Sequence, residues 1–162
     1  MANPANKKRT DQAVRVIQAS PEVIYRAFLD PKAVPKWRPP KGMVCRIYAF
    51  NPEQGGNFRM SFGYVEENHE VQGKTSEHED IFHGHFETLV PDRLIVESVE
   101  FESDDPAFGG TMTIKTSLVP LQEGTEVTII CKNVPDGIKQ EDHFAGMYST
   151  LDNLAEFVKQ KR

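Results

Sequence analysis

Two histidines one residue apart, His83 and His85, form the first pair whose type and spacing could do chemistry. On a β-strand, side chains alternate, so both imidazoles would lie on one face. Paired imidazoles can bind zinc, and His78, Glu79 and Asp80 lie just upstream. The competing reading is a solvent-facing pair opposite core-facing Phe82 and Phe86. A zinc site needs a third defined ligand and the pattern supplies none, so no metal or other cofactor is expected. Three strand carboxylates, Glu87, Glu97 and Glu100, offer a second chemistry. One of them inside an apolar cavity would have its neutral form favoured by desolvation, and could give or take a proton. Strands open to solvent on one side more commonly carry such groups outward. The thiols Cys45 and Cys131 fall in apolar strand segments, where they are expected to be free, buried and inert. No nucleophile elbow, phosphate loop or dinucleotide fingerprint occurs, and Gly55-Gly56 and Gly109-Gly110 read as turn residues.

The elements that would position these groups are two helical bookends around a β-rich middle. Ala13 to Ala19 suits a first strand. Ser20-Pro21 opens a helix, with a hydroxyl cap and proline at the first helical position. Ile24, Ala27 and Phe28 then share one helical face. Asp30-Pro31 ends that helix, and Lys32 to Trp37 forms a second short turn, stopped by Arg38-Pro39-Pro40. Met43–Phe50 and Asn57–Tyr64 read as a hairpin; Phe58, Met60, Phe62 and Tyr64 alternate onto one face. Val65 to Asp80 is an acidic connection, read as an extended hairpin tip or a solvated loop. Ile81 to Val90 and Arg93 to Phe101 follow as strand and strand around Pro91-Asp92. After the loop Glu102 to Gly110, Thr111 to Val119 and Thr125 to Lys132 make a last hairpin. In the closing segment Phe144, Met147, Tyr148, Leu151, Leu154, Ala155 and Val158 recur at helical spacing, opposite Ser149, Asp152, Asn153, Glu156 and Lys159.

The fold class predicted is α+β, a curved antiparallel sheet of six or seven strands with a long C-terminal helix laid across it. Residues 1–12 read as a flexible tail and 13–162 as one domain. The 24 acidic and 19 basic side chains give a net charge of −5, which argues against a nucleic-acid partner. No apolar run is long enough for a membrane span, and the polar N-terminus lacks a secretory signal, so a cytoplasmic location is expected.

Four local patterns resemble the START-like superfamily with the helix-grip fold. They are closest to the branch containing the C-terminal domain of the heat-shock-protein-90 ATPase activator. These are Ser20 to Phe28 with Trp37, then Gly55-Gly56-Asn57-Phe58-Arg59-Met60. Gly84-His85-Phe86-Glu87 through Arg93-Leu94 is the third, and Gly146 to Leu154 the fourth. The family often has Trp where this chain has Met147, and the smaller side chain would reshape a cavity. The resemblance implies a hydrophobic or amphipathic small-molecule ligand bound between the last helix and the sheet, without defined catalysis. It leaves open a homodimer, a cyclase- or hydrolase-like enzyme using a cavity carboxylate or His, and a co-chaperone-like interaction module. The eukaryotic activator grips the chaperone with a separate N-terminal domain for which this chain has no room, so ATPase activation is not expected.

The candidate lining is Trp37, Phe58, Met60, Phe62, Phe86, Met112, Ile129, Phe144, Met147 and Leu151, with Tyr48, His143 and Tyr148 as polar contacts. Phe144, Met147, Tyr148 and Leu151 would form the roof. Entry is expected near Trp37 to Pro40, the 102–110 loop and His143.

Overall fold

The computed structural model describes residues 9–64 and 79–159. Strand β1 (Arg9–Ile17) leads into helices α1 (Pro21–Leu29) and α2 (Val34–Trp37). Strands β2 (Met43–Phe50), β3 (Asn57–Tyr64), β4 (Glu79–Val90), β5 (Leu94–Phe101), β6 (Met112–Leu121) and β7 (Gly124–Val134) follow, then helix α3 (Gln140–Lys159). The strands form one antiparallel sheet in the order β1-β7-β6-β5-β4-β3-β2. Neighbours in sequence are neighbours in the sheet, except that β1 pairs with β7. This is the α+β helix-grip arrangement.

Arg9 to Gln12, assigned to a tail by sequence, are strand. Their polarity hid this, because Arg9, Asp11 and Gln140 satisfy one another where an apolar residue would be expected. The remainder of the expected tail, and most of the acidic connection after Tyr64, lie outside the described residues.

Local chemistry sets the helix ends. The Ser20 hydroxyl accepts the Val23 amide at 3.3 Å, and Pro21 follows it. The Asp30 carboxylate accepts from the Lys32 amide at 2.9 Å and turns the chain towards α2. Register shifts in β2, between Ile47 and Ala49, and in β4, between Phe86 and Thr88, bend the sheet. Gly84 lies at a close approach: a Cβ there would sit 1.7 Å from the Ser98 carbonyl oxygen.

The α3 stripe is Met147, Leu151, Leu154 and Val158, all buried. Phe144 and Ala155 are half-buried and Tyr148 is 44 % exposed, so the expected apolar face is turned too far to one side. The reason is the opposite flank. The Thr150 hydroxyl donates to the Arg38 carbonyl at 2.9 Å, and the Asn153 amide donates to the Pro39 carbonyl at 2.9 Å. The Lys41 amide donates to the Ser149 hydroxyl at 2.9 Å. Two of the residues expected to face solvent, Ser149 and Asn153, thus strap the Arg38–Lys41 segment to α3. That segment depends on such bonds, because Pro39 and Pro40 have no amide hydrogen.

Candidate functional site

The inner face of the sheet is used in two ways. Towards one end, Phe86 packs edge to face with Phe50 and tilted against Phe58, with centroids 5.6 and 5.1 Å apart. Phe58, Met60 and Phe86 are fully buried there and are not among the residues lining the cavity at the other end. Towards the other end, a second aromatic row, Phe62, Phe82 and Phe101, has centroids 5.1 and 6.0 Å apart. This row is one wall of a cavity of about 370 Å³.

Met112, Ile114, Thr116, Ile129 and Cys131 of the last hairpin form its floor, with Val99 beside them. Phe28, Trp37 and Arg38 close the side towards α1 and α2, and the Trp37 indole N–H is fixed to the Ala27 carbonyl at 3.0 Å. Helix α3 contributes Asp142, His143, Gly146, Met147 and Thr150, spaced i, i+1, i+4, i+5 and i+8 along one flank. Pro40, Met43, Tyr64, Asp80 and Phe108 surround the mouth.

Of the residues named from sequence, Trp37, Phe62, Met112, Ile129, His143 and Met147 are brought together around this cavity. Phe58, Met60, Phe86 and Leu151 lie in the solid part of the core, and Phe144 is half-buried without lining the space. The expected polar contacts Tyr48 and Tyr148 are elsewhere. Tyr48 is on the outer face, with the Arg59 guanidinium 4.9 Å from its ring centroid. The Tyr148 hydroxyl lies 3.5 Å from the Val14 amide at the β1 edge. The roof is therefore the flank Asp142–Thr150, about one helical residue round from the stripe read by sequence. Pro40, Phe108 and His143 line the cavity at the three places where entry was expected.

Of the three strand glutamates named from sequence, Glu97 is the one buried in the sheet. Its two oxygens receive both terminal nitrogens of Arg38 at 2.9 Å, with the carboxylate side chain 1 % and the guanidinium 10 % exposed. Burial opposes the charge on Arg38, but Glu97 outweighs it and holds the guanidinium pKa above its ordinary value. With both oxygens occupied, Glu97 is a fixed counter-ion to Arg38. Arg38 lies between it and the cavity. Glu87 and Glu100 face outwards, bonded to Ser98 and to Thr111.

Thr116 is fully buried, and among the described residues its hydroxyl has no hydrogen-bond partner. The thiols beside the pair are protonated: burial raises Cys45 to about 11 and Cys131 to about 12, against the pull of Arg38. At the mouth, His143 Nδ1 is 2.7 Å from Asp11 Oδ2. Burial alone would raise the Asp11 pKa; hydrogen bonds from Arg9, His143 and Gln140 outweigh it and hold the group below its ordinary value.

His83 and His85 are on the outer face. His83 Nδ1 is 2.9 Å from Glu102, which the Arg59 hydrogen bonds and then His83 bring down to about 2. His85 is 3.7 Å from Glu87. Among the described residues, no three His, Cys, Asp or Glu side chains come together to hold a metal ion. No described helix is long and apolar enough to cross a membrane.

Sequence reasoning missed Arg38 and Thr116. The signal was present in the alternation Ile95-x-Glu97-x-Val99 and Met112-x-Ile114-x-Thr116-x-Leu118, which places one charge and one hydroxyl on an apolar face.

The family described as Activator of Hsp90 ATPase homolog 1-like protein matches residues 18–159. The chain belongs to that family. Among solved structures, a protein from Chromobacterium violaceum is 32 % identical, with a TM-score of 0.79 over 91 % of this chain and 96 % of that one. A protein from Rhodobacter sphaeroides, 18 % identical, superposes with a TM-score of 0.76 over 94 % and 93 % of the two chains. An AHSA1-like protein from Aeromonas hydrophila, 15 % identical, gives 0.69 over 94 % of each. The last two speak for the fold alone. No curated protein matches the chain significantly. The family assignment puts this chain in the START-like superfamily, whose folds commonly bind hydrophobic ligands.

Proposed function

We propose that the protein binds a hydrophobic or amphipathic small molecule in the cavity between α3 and the sheet, without covalent chemistry. The observation that carries this reading is the cavity itself. Its volume of about 370 Å³ falls in the range of small-molecule sites, and its walls are largely aromatic and aliphatic. Each Å² of apolar ligand surface buried there contributes about 25 cal/mol before the costs of association.

Two measurements test it. Native mass spectrometry of the purified protein should detect a co-purifying small molecule. The uncharged dye N-phenyl-1-naphthylamine should brighten on binding, and Met147→Trp, which fills the roof, should abolish the signal in a protein that remains folded. Dye binding untouched by Met147→Trp refutes the assigned site.

A second reading, acid–base chemistry on the bound molecule, draws support from one contact. Asp11 grips Nδ1 of His143 at 2.7 Å while that residue lines the cavity. An Asp–His pair of this kind orients an imidazole for proton transfer. It requires that the co-purified molecule be altered by the protein and left intact by His143→Ala. A chaperone-binding role gains less support, since ion pairs such as Arg59–Glu102 and His83–Glu102 occupy the outer face of the sheet.

A further inference from the structure

We propose that the ligand is an uncharged amphiphile whose hydroxyl or carbonyl oxygen enters first and meets the Thr116 hydroxyl beside the Arg38–Glu97 pair. This rests on the cavity reading above and adds the chemistry of the deep end.

Three observations lead to it. The first is the orphan hydroxyl. Thr116 shares the inner face of β6 with Met112, Ile114 and Leu118 and is fully buried, yet its Oγ1 lacks a partner among the described residues. Buried hydroxyls are nearly always bonded, and valine would fill the same volume without the desolvation penalty. Thr116 is among the residues lining the apolar cavity, and its Oγ1 is shielded in this structure, so a guest that nudges the neighbouring side chains aside would supply the missing partner.

The second is the state of Arg38. Its fork is closed on Glu97 by two parallel bonds, so its charge is already matched. A guanidinium has five N–H donors, and this pairing occupies two nitrogens in one direction only. The deep end therefore offers hydrogen bonds without a net charge.

The third is what an anionic head would encounter. A carboxylate seated against Arg38 would bring a second negative charge beside Glu97. Asp142 adds another at the mouth. In a low-dielectric pocket such a like-charge approach is strongly unfavourable. Fatty-acid-type anions are rejected, while alcohols, ketones and amides of similar shape are accepted.

The test uses three probes of one shape: naphthalene, 2-naphthol and 2-naphthoate, each displacing N-phenyl-1-naphthylamine from the full chain at pH 7. The expected result is that 2-naphthol binds about fivefold or more tighter than naphthalene, in keeping with one buried hydrogen bond, and about tenfold or more tighter than 2-naphthoate. Thr116→Val should bring 2-naphthol and naphthalene within about twofold of each other, while Thr116→Ser keeps the preference. Urea midpoints establish that both variants are folded.

Two results overturn the inference and leave the cavity reading standing. One is a naphthol preference that survives Thr116→Val, as it would if an interior water satisfied the hydroxyl. The other is 2-naphthoate binding as tightly as 2-naphthol in the unaltered protein, which needs no variant. Failure of the dye and all three probes to bind removes the cavity reading and this inference together.

Discussion

Replacing Glu97 by Leu would leave the Arg38 guanidinium charged and buried with no counter-ion. The pair is held by two 2.9 Å contacts, with the carboxylate 1 % exposed, so water cannot stand in for the lost partner. Breaking such a pair from one side costs about 3–5 kcal/mol, about a fifth or more of the ordinary stability of a domain, about 5–15 kcal/mol. With a urea dependence of about 2 kcal/mol per molar, the midpoint should fall by about 2 M. Arg38→Met should cost a similar amount, because it strands the carboxylate. The double variant Arg38→Met/Glu97→Leu should return to within about 1 kcal/mol of the parent or exceed it, since an apolar pair of similar volume carries no desolvation penalty. Urea denaturation monitored through Trp37 fluorescence, at constant denaturant dependence, gives all four corners of the cycle. If the two single costs simply add in the double variant, or if Glu97→Leu is tolerated within about 1 kcal/mol, the pair is not a closed buried ion pair. The account of the cavity's deep end then fails with it.

Three further perturbations follow from the fold. Leu151→Asp places an unpaired charge beneath α3 at a fully buried position and should unfold the protein, seen as loss of near-ultraviolet circular dichroism; a native spectrum would refute the helix face described above. Gly84→Ala forces a Cβ against the Ser98 carbonyl, a rigid backbone atom, and should lower stability by about 1–3 kcal/mol in thermal denaturation; an unchanged midpoint would mean that β4 and β5 are not this close. The folded pKa of Asp11 lies below its ordinary value, so its contribution is whole above about pH 4 and is lost as pH falls through the lower folded value. Asp11→Asn should therefore lower neutral-pH stability by about 1–3 kcal/mol and flatten the acid limb below pH ~4; an acid limb identical to the parent's would contradict the Arg9–Asp11–His143 network.

The helices and strands were legible because their signals are local: a Ser-Pro helix start, two-residue alternation in β3, and the apolar period of α3. The site was legible only in part. Met147 could be placed at the roof from helical spacing, yet Tyr148 and Phe144 could not be removed from it. The rotation of α3 is fixed by Thr150 and Asn153 bonding to carbonyls more than a hundred positions earlier, a contact no local pattern contains. Phe58 and Phe62 illustrate the same limit. They are two turns of the same alternation on the same strand, and only the pairing of the sheet decides that one fills the core and the other faces open space. Arg38 was invisible as a cavity residue because its role depends on Glu97, 59 positions away.

The pairing of β1 with β7 also orders events in time. Ala13 lies opposite Ile129, so β1 must wait for more than a hundred further residues to be made before its partner strand exists. At about 5–20 residues per second, that wait is on the order of ten seconds. Strands β2 to β6 can pair with their sequence neighbours meanwhile, but α3 arrives later still. The chamber that this chain encloses is thus absent from every nascent intermediate that lacks α3. No guest can be captured in it until α3 has been made, and a chain truncated before α3 would present its aromatic floor to water.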